Sequence, residues 1–297
     1  MEATQESTQP CTDPRRMGYN NSGLVEEDVS DIICILHPNS PAAHDVVSET
    51  AHVAPQHILQ RDELEYERND TPALDIALRL SSPVKSLSAG FCFGRNRERC
   101  DLLLAPDPRL NRVSNVHFRI YLTEDGILML EDLSTNGTIV DNCRLRRAQR
   151  ENSRMLTGGS VIQVLSGDQV SMEVRFVVRF PSRDGHVMQY TENMLRYLER
   201  VQKCQTGTVQ PRTRQASVQP VLQWNSYGMH WTGGSTYNVT GQVGKGAFAT
   251  VYKLATKQHG MVYAAKELDK RKFMKNGILD QKVDNEMKIM RDLRHVS

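Results

Sequence analysis

Between residues 73 and 180 the apolar side chains recur at every second position, in short runs separated by turn residues. That is the period of half-buried strands, and it leaves few folds open. Leu74, Ile76, Leu78 and Leu80 form one run. Val116 to Leu122 forms another, Asp125-Gly126 makes a turn, and Ile127-Leu128-Met129-Leu130 returns, which predicts a hairpin. Gly158-Gly159 precedes Val161-Ile162-Gln163-Val164, and Val174 to Phe180 closes the block. Many short strands with turns between them predict a mainly β fold of the sandwich type.

The flanking segments read differently. Residues 1–70 are mostly polar, with apolar density only at Asp31-Ile32-Ile33-Cys34-Ile35-Leu36. Such a stretch buries too little surface to offset its chain entropy, so a disordered tail with one short element is expected. Over 186–203 the period becomes helical, with Met194, Tyr197, Leu198 and Val201 on one face. Residues 204–235 are rich in Gln, Thr, Ser, Gly and Pro and read as a linker, with Trp224 and Trp231 as its docking points. A third unit spans 237–297. Val239 and Val243 flank a turn, Thr250 to Leu254 and Met261 to Leu268 are strand-like, and 278–294 reads as a helix with Val283, Met287, Met290 and Leu293 in one stripe.

Charge excludes little. The 297 residues carry 37 basic and 35 acidic side chains, a net charge of +2, so nothing global calls for a nucleic-acid partner. Arg144, Arg146, Arg147 and Arg150 form one local cluster, and Lys270, Arg271, Lys272 and Lys275 another; both read as solvated faces. None of the six cysteines forms a C-x-x-C pair, so no metal site is expected and reduced thiols are. The N-terminus lacks a secretory pattern, and no apolar run approaches the roughly 20 residues that cross a bilayer. A soluble intracellular protein without a membrane partner is expected.

Three short stretches of the β block carry chemistry. Gly94-Arg95 comes first, then Ser114-Asn115-Val116-His117, then Leu133-Ser134-Thr135-Asn136-Gly137-Thr138. Together they supply a cation and several short hydroxyl and amide donors, on loops between strands. A phosphothreonine carries close to two negative charges and three acceptor oxygens. Arg suits it because a planar fork gives one phosphate two parallel hydrogen bonds. Each charge-assisted bond contributes about 1.5–3 kcal/mol, so two or three hold a short peptide.

In order and spacing these stretches resemble the forkhead-associated (FHA) domain, a phosphothreonine-binding β-sandwich, over residues 73–180. The resemblance implies that Arg95 and Ser114 bind the phosphate, that Asn115 and Thr135 add phosphate or peptide contacts, and that Asn136 bonds the peptide backbone. Arg112, two positions before Ser114, is expected to read the third residue after the phosphothreonine and to favour an acid there. His117 and Gly94 are expected to be structural.

The last unit resembles the start of a protein kinase. Gly244-Lys245-Gly246-Ala247-Phe248-Ala249-Thr250-Val251 resembles the glycine-rich loop over the ATP phosphates, with Ala249 in place of its third glycine. Val262-Tyr263-Ala264-Ala265-Lys266 resembles the strand whose lysine holds phosphates, and Glu286 stands where the family places that lysine's partner. The resemblance implies an ATP site at Val243, Gly244, Gly246, Val251, Ala264 and Lys266. A P-loop would need glycine where Val239 stands, and a dinucleotide fold would need a helix where Thr250-Val251-Tyr252 is β-forming, although Glu267 lies near the ribose-binding distance. A plain hairpin turn at Gly244 and Gly246, and an unrelated Lys266–Glu286 pair, are the unspecific alternatives.

His-Arg-Asp and Asp-Phe-Gly motifs are missing, so no catalytic residue and no magnesium ligand can be named. Phosphoryl transfer by this chain alone is not expected, nor tight binding of ATP or magnesium, and a truncation within the kinase N-lobe is. The order FHA domain, linker, kinase resembles the DNA-damage and meiotic checkpoint serine/threonine kinases, which implies a nuclear location and phosphothreonine proteins as partners. Thr4-Gln5 and Thr8-Gln9 are of the type that damage-sensing kinases modify, so another copy phosphorylated at Thr4 or Thr8 is a candidate partner. The alternative is a catalytically inactive phosphothreonine adaptor or competitor.

Overall fold

The computed structural model describes residues 24–60, 73–105, 112–147, 151–165, 173–206, 227–275 and 277–292. Thr4, Thr8, Arg150 and Trp224 lie outside them, as do most of the expected linker and the end of the last helix.

The strands form a two-sheet sandwich. Its elements begin with α1 (Glu26–Asp31), β1 (Ile32–Pro38), α2 (Pro41–Val53) and β2 (Ile58–Gln60). Then come β3 (Leu74–Arg79), β4 (Phe91–Gly94), β5 (Leu102–Leu103), β6 (Phe118–Leu122), β7 (Leu128–Asp132), β8 (Thr138–Val140), β9 (Cys143–Leu145), β10 (Ser153–Met155), β11 (Val161–Leu165), β12 (Glu173–Arg179) and the helix α3 (Val187–Thr206). One sheet runs β2-β3-β1-β12-β11-β8-β9, the other β10-β7-β6-β4-β5. Phe91, Phe93, Phe118 and Phe176 are fully buried between them, and Phe93 stacks on Phe118 with ring centroids 4.6 Å apart. Burying each such ring contributes about 1.5–3 kcal/mol.

The tail expected over residues 1–70 needs correcting over residues 24–60. β1 sits inside the larger sheet, paired antiparallel with both β3 and β12, with Ile35 opposite Ala77 and Arg179. Its residues Ile32 to Leu36 are buried in succession, so neither face shows the alternation that marks a half-exposed strand. Ser40 caps α2, its Oγ accepting from the Ala43 N–H at 3.2 Å and from the Arg175 N–H at 3.0 Å. Ala42, Ala43, Val46 and Val47 then join the core. A polar composition concealed a strand and a helix most of whose apolar residues are buried.

α3 buries Tyr190, Met194, Tyr197 and Leu198 and runs to Thr206, slightly past the expected end. Arg183, buried just before it, donates from Nη2 to the Ile32 carbonyl at 2.7 Å and lies 3.6 Å above the Tyr190 ring. This guanidinium fastens α3 to the start of β1.

The last unit has a three-stranded antiparallel sheet of β13 (Tyr237–Lys245), β14 (Ala249–Thr256) and β15 (Val262–Leu268). A short helix α4 (Lys270–Phe273) and a hairpin of β16 (Met274–Lys275) and β17 (Ile278–Leu279) follow, and α5 (Gln281–Asp292) ends the described chain. The helix expected from 278 starts later because Ile278 pairs with Lys275, and the Asp280 carboxylate accepts from the Lys282 N–H at 2.9 Å. Of its expected stripe Val283 is buried, whereas Met287 is 43% exposed.

The β14–β15 hairpin rests on the smaller sandwich sheet. Ala255 and Val262 pack with Ile127, Met129, Met155 and Tyr121. The Met155 N–H donates to the Lys257 carbonyl, and Ser153 Oγ to the Gln258 carbonyl, each at 2.6 Å. The described end of the linker touches the same unit: the His230 N–H donates to Glu267 Oε1 at 2.9 Å, and Trp231 lies 6.0 Å from Tyr237.

Candidate phosphate-binding site

The three chemistry-bearing stretches meet at one end of the smaller sheet. β4 delivers Gly94 and Arg95 beside the loop before β6, where the Arg95 N–H donates to the Ser114 carbonyl and the Asn96 N–H to the Asn115 carbonyl, both at 3.1 Å. That approach needs glycine at 94, because a Cβ there would lie 2.4 Å from the Asn115 carbonyl oxygen. Arg95 Nε donates to Asn115 Oδ1 at 3.2 Å. Ser114 Oγ accepts from the Thr135 N–H at 3.1 Å, which ties in the third loop. Arg95, Asn115 and Thr135 are exposed at the rim.

Beneath the rim the scaffold is rigid. His117 is fully buried and accepts at Nδ1 from the Ser114 N–H at 3.1 Å. The proton therefore sits on Nε2, which donates to the Gly137 carbonyl at 3.3 Å, so the ring is neutral and braces two loops at once. Burial pushes its pKa below the ordinary imidazole value, while the Gly137 hydrogen bond and the nearby Asp132 charge pull it partly back. Cys100 Sγ donates to the Asn115 carbonyl at 3.0 Å, and burial raises its pKa to about 12, so it stays a thiol.

Asp132 organises the third loop, a role its sequence position did not advertise. Buried at the end of β7, its Oδ1 accepts from Ser134 Oγ at 2.8 Å and Thr138 Oγ1 at 2.7 Å, and its Oδ2 from the Arg147 N–H at 2.9 Å. Ser134 Oγ in turn accepts from the Gly137 N–H at 2.7 Å. Asn136 Nδ2 donates to the Arg112 carbonyl at 2.8 Å, which brings those two residues together on one flank.

A groove of about 860 Å³ opens at the rim, lined by Arg95, Ser114, Asn115 and Thr135. Its walls also include residues that the motifs did not single out, among them Lys85, Cys92, Arg99, Arg119, Glu131 and Arg147. The signal for Arg147 was its place in an arginine cluster read as solvent-facing. The others carry none, because their convergence depends on strand register.

In the last unit the Lys266 ammonium bonds Glu286 Oε1 at 2.6 Å, joining β15 to α5. Val251 lies opposite both Gly244 and Lys266, with Ala264 two residues before that lysine on β15. The Gly246 N–H closes the turn on the Ala249 carbonyl at 2.8 Å, and Val243 and Phe248 are exposed. The expected nucleotide residues thus lie on one three-stranded sheet, with Gly246 in the turn between its first two strands. No group of metal-ligating side chains occurs among the described residues.

Comparison with known proteins agrees with the sandwich. Residues 91–164 match the family model of the FHA domain. The chain is 28% identical over 228 residues, 75% of its length, to the serine/threonine-protein kinase RAD53 of Saccharomyces cerevisiae, and it spans about a quarter (26%) of that relative. Among solved structures it is similar to the N-terminal FHA domain of S. cerevisiae Rad53p in complex with a phosphothreonine peptide, at 33% identity over 32% of this chain and 70% of that one, TM-score 0.27. It is also similar to Rad53 1-466 in complex with AMP-PNP, at 23% identity over 72% of this chain and 45% of that one, TM-score 0.33.

Proposed function

We propose, with the FHA sandwich as premise, that this chain captures phosphothreonine peptides. In this reading Arg95 and Ser114 hold the phosphate, Asn115 and Thr135 add donors, and Asn136 bonds the peptide backbone. Arg112 reads an acid at the third position after the phosphothreonine. The observation that carries the proposal is the Arg95–Ser114–Thr135 linkage: N–H bonds of 3.1 Å, from Arg95 to the Ser114 carbonyl and from Thr135 to Ser114 Oγ, bring a guanidinium and two hydroxyls to the mouth of one groove. Donors held in place before binding give up little freedom when the phosphate arrives. Titration of the full chain with a phosphothreonine peptide tests it. Micromolar or tighter binding, lost without the phosphate and weakened at least tenfold by Arg95→Ala, is expected; equal binding with and without phosphate would refute it.

The last unit extends this reading to the N-terminal portion of a checkpoint-type serine/threonine kinase, supported by the Lys266–Glu286 pair. Peptide capture would then concentrate a kinase on phosphorylated targets by raising its effective concentration. Those targets include nuclear proteins and another copy phosphorylated at Thr4 or Thr8. ATP with magnesium is the ligand class for Val243, Gly244, Gly246, Val251, Ala264 and Lys266, bound weakly by these residues alone. The second reading is a catalytically inactive phosphothreonine adaptor or competitor. A nucleotide-induced spectral shift abolished by Lys266→Ala supports the first over the second.

A further inference from the structure

The groove that starts at Arg95 is larger and more basic than one phosphothreonine requires. Five cationic side chains line it, Lys85, Arg95, Arg99, Arg119 and Arg147, against the single carboxylate of Glu131. A phosphate ester brings close to two negative charges, so about two positive charges stay unanswered when it is seated. Glu131 is already committed: its Oε2 accepts from Arg119 Nε at 2.7 Å and its Oε1 from Asn152 Nδ2 at 3.1 Å. Among the described residues the ion pairs include none to Lys85, Arg99 or Arg147, and the Lys85 ammonium donates to the Arg97 carbonyl, which leaves its charge unneutralised.

The surplus charge has a definite place. Cys92, Arg119 and Glu131 stand side by side on β4, β6 and β7 and form the groove floor. Asp101 ties Lys85 to one side of this row, accepting from the Lys85 N–H at 2.7 Å and the Cys92 N–H at 2.8 Å. On the other side the Arg147 backbone is held by Asp132, the neighbour of Glu131. Cys92 precedes Arg95 by three residues of near-extended chain, about 10 Å. Arg112 and Asn136 are not among the groove's lining residues. The basic end therefore extends away from the flank assigned to the residue after the phosphothreonine.

From this geometry, and resting on the phosphothreonine reading above, we propose that the groove takes a second anionic side chain of the same peptide. It would be a carboxylate or a phosphate, about three to five residues N-terminal to the phosphothreonine, received by Lys85, Arg99 and Arg147. An extended peptide advances about 3.3 Å per residue, so three residues span the distance along the floor and the long basic side chains cover the rest.

The test is a scan with the full chain. Peptides carry one fixed phosphothreonine in an otherwise neutral sequence, with Glu placed singly at each position from two to five before it and two to five after it. At the best N-terminal position Glu is then replaced by a second phosphothreonine. The expected result is a gain of at least fivefold for Glu at one N-terminal position, a larger gain for phosphate there, and a decline of both gains with added salt. The gain is a ratio of two affinities on one protein, so it can be compared between variants. In Lys85→Ala/Arg147→Ala it should fall below twofold. A flat scan before the phosphothreonine, or a gain that survives in the double variant, overturns the proposal and leaves the phosphothreonine reading standing. Failure of all phosphorylated peptides to bind overturns both. A gain for phosphate without one for Glu restricts the subsite to doubly phosphorylated partners.

Discussion

At the scale of single residues the site depends on close approach and on one neutral imidazole. Alanine at 94 would press its Cβ to within 2.4 Å of the Asn115 carbonyl oxygen and 2.9 Å of Cys100 Sγ, so β4 and the Asn115 loop must separate. Gly94→Ala is expected to cost about 1–3 kcal/mol of stability by overpacking and to weaken phosphopeptide binding; thermal melting and titration check both. His117 makes stability depend on pH. Its folded-state pKa lies below the free value, so in acid the unfolded chain binds more protons than the folded one. Its stabilising contribution is complete above the free value near 6.5 and is lost as pH falls toward the folded value. Buried His57, also lowered by desolvation, acts in the same direction. A melting temperature that falls between about pH 7.5 and about pH 5.5 is expected, and a flat profile would contradict the neutral brace.

At the scale of elements the central fact is that β1 lies inside the sheet rather than before it. A fragment of residues 73–185 lacks β1 and α2, which leaves β3 and β12 without their shared neighbour and opens the core beneath Val46 and Val47. That fragment should be largely unfolded and fail to bind phosphopeptide, whereas residues 24–206 should fold and bind; circular dichroism and titration of the two decide it. The same strand shows what was legible in the sequence and what was not. β6, β11 and β12 were readable because alternation marks one buried face, and β7 because an apolar run follows the Asp125-Gly126 turn. Arg95, Ser114 and Thr135 were singled out because they fall in motifs of fixed spacing, and the fold brings them to the mouth of one groove. β1 was not, since five successive buried residues carry no period of two and lie in a polar neighbourhood. Asp132 and the basic groove wall escaped for another reason: cross-strand register, not local spacing, brings Lys85, Arg119 and Arg147 together.

At the scale of the molecule, sandwich and C-terminal sheet meet through the β14–β15 turn. Gly260 adopts φ +65°, and a Cβ there would lie 2.9 Å from Met129 Sδ and 3.2 Å from Thr123 Cγ2. Gly260→Val is expected to release the hairpin while the sandwich stays folded. Amide exchange should then rise at Met155 and over 255–262, with phosphopeptide affinity changed less than twofold; unchanged exchange would show that the contact is dispensable. Lys253, buried in β14, has its pKa lowered by desolvation and partly restored by the Asp125 charge.

The position of Ile32–Pro38 has a consequence for how the protein is made. These residues leave the ribosome well before Glu173–Arg179, the strand of the sandwich that completes one of their two edges. Through that interval the nascent chain carries an apolar segment with one side unsatisfied, the kind of surface that invites pairing with a neighbouring polypeptide. Translation pauses or chaperone shortage before residue 179 should therefore harm this protein more than an equal delay after it.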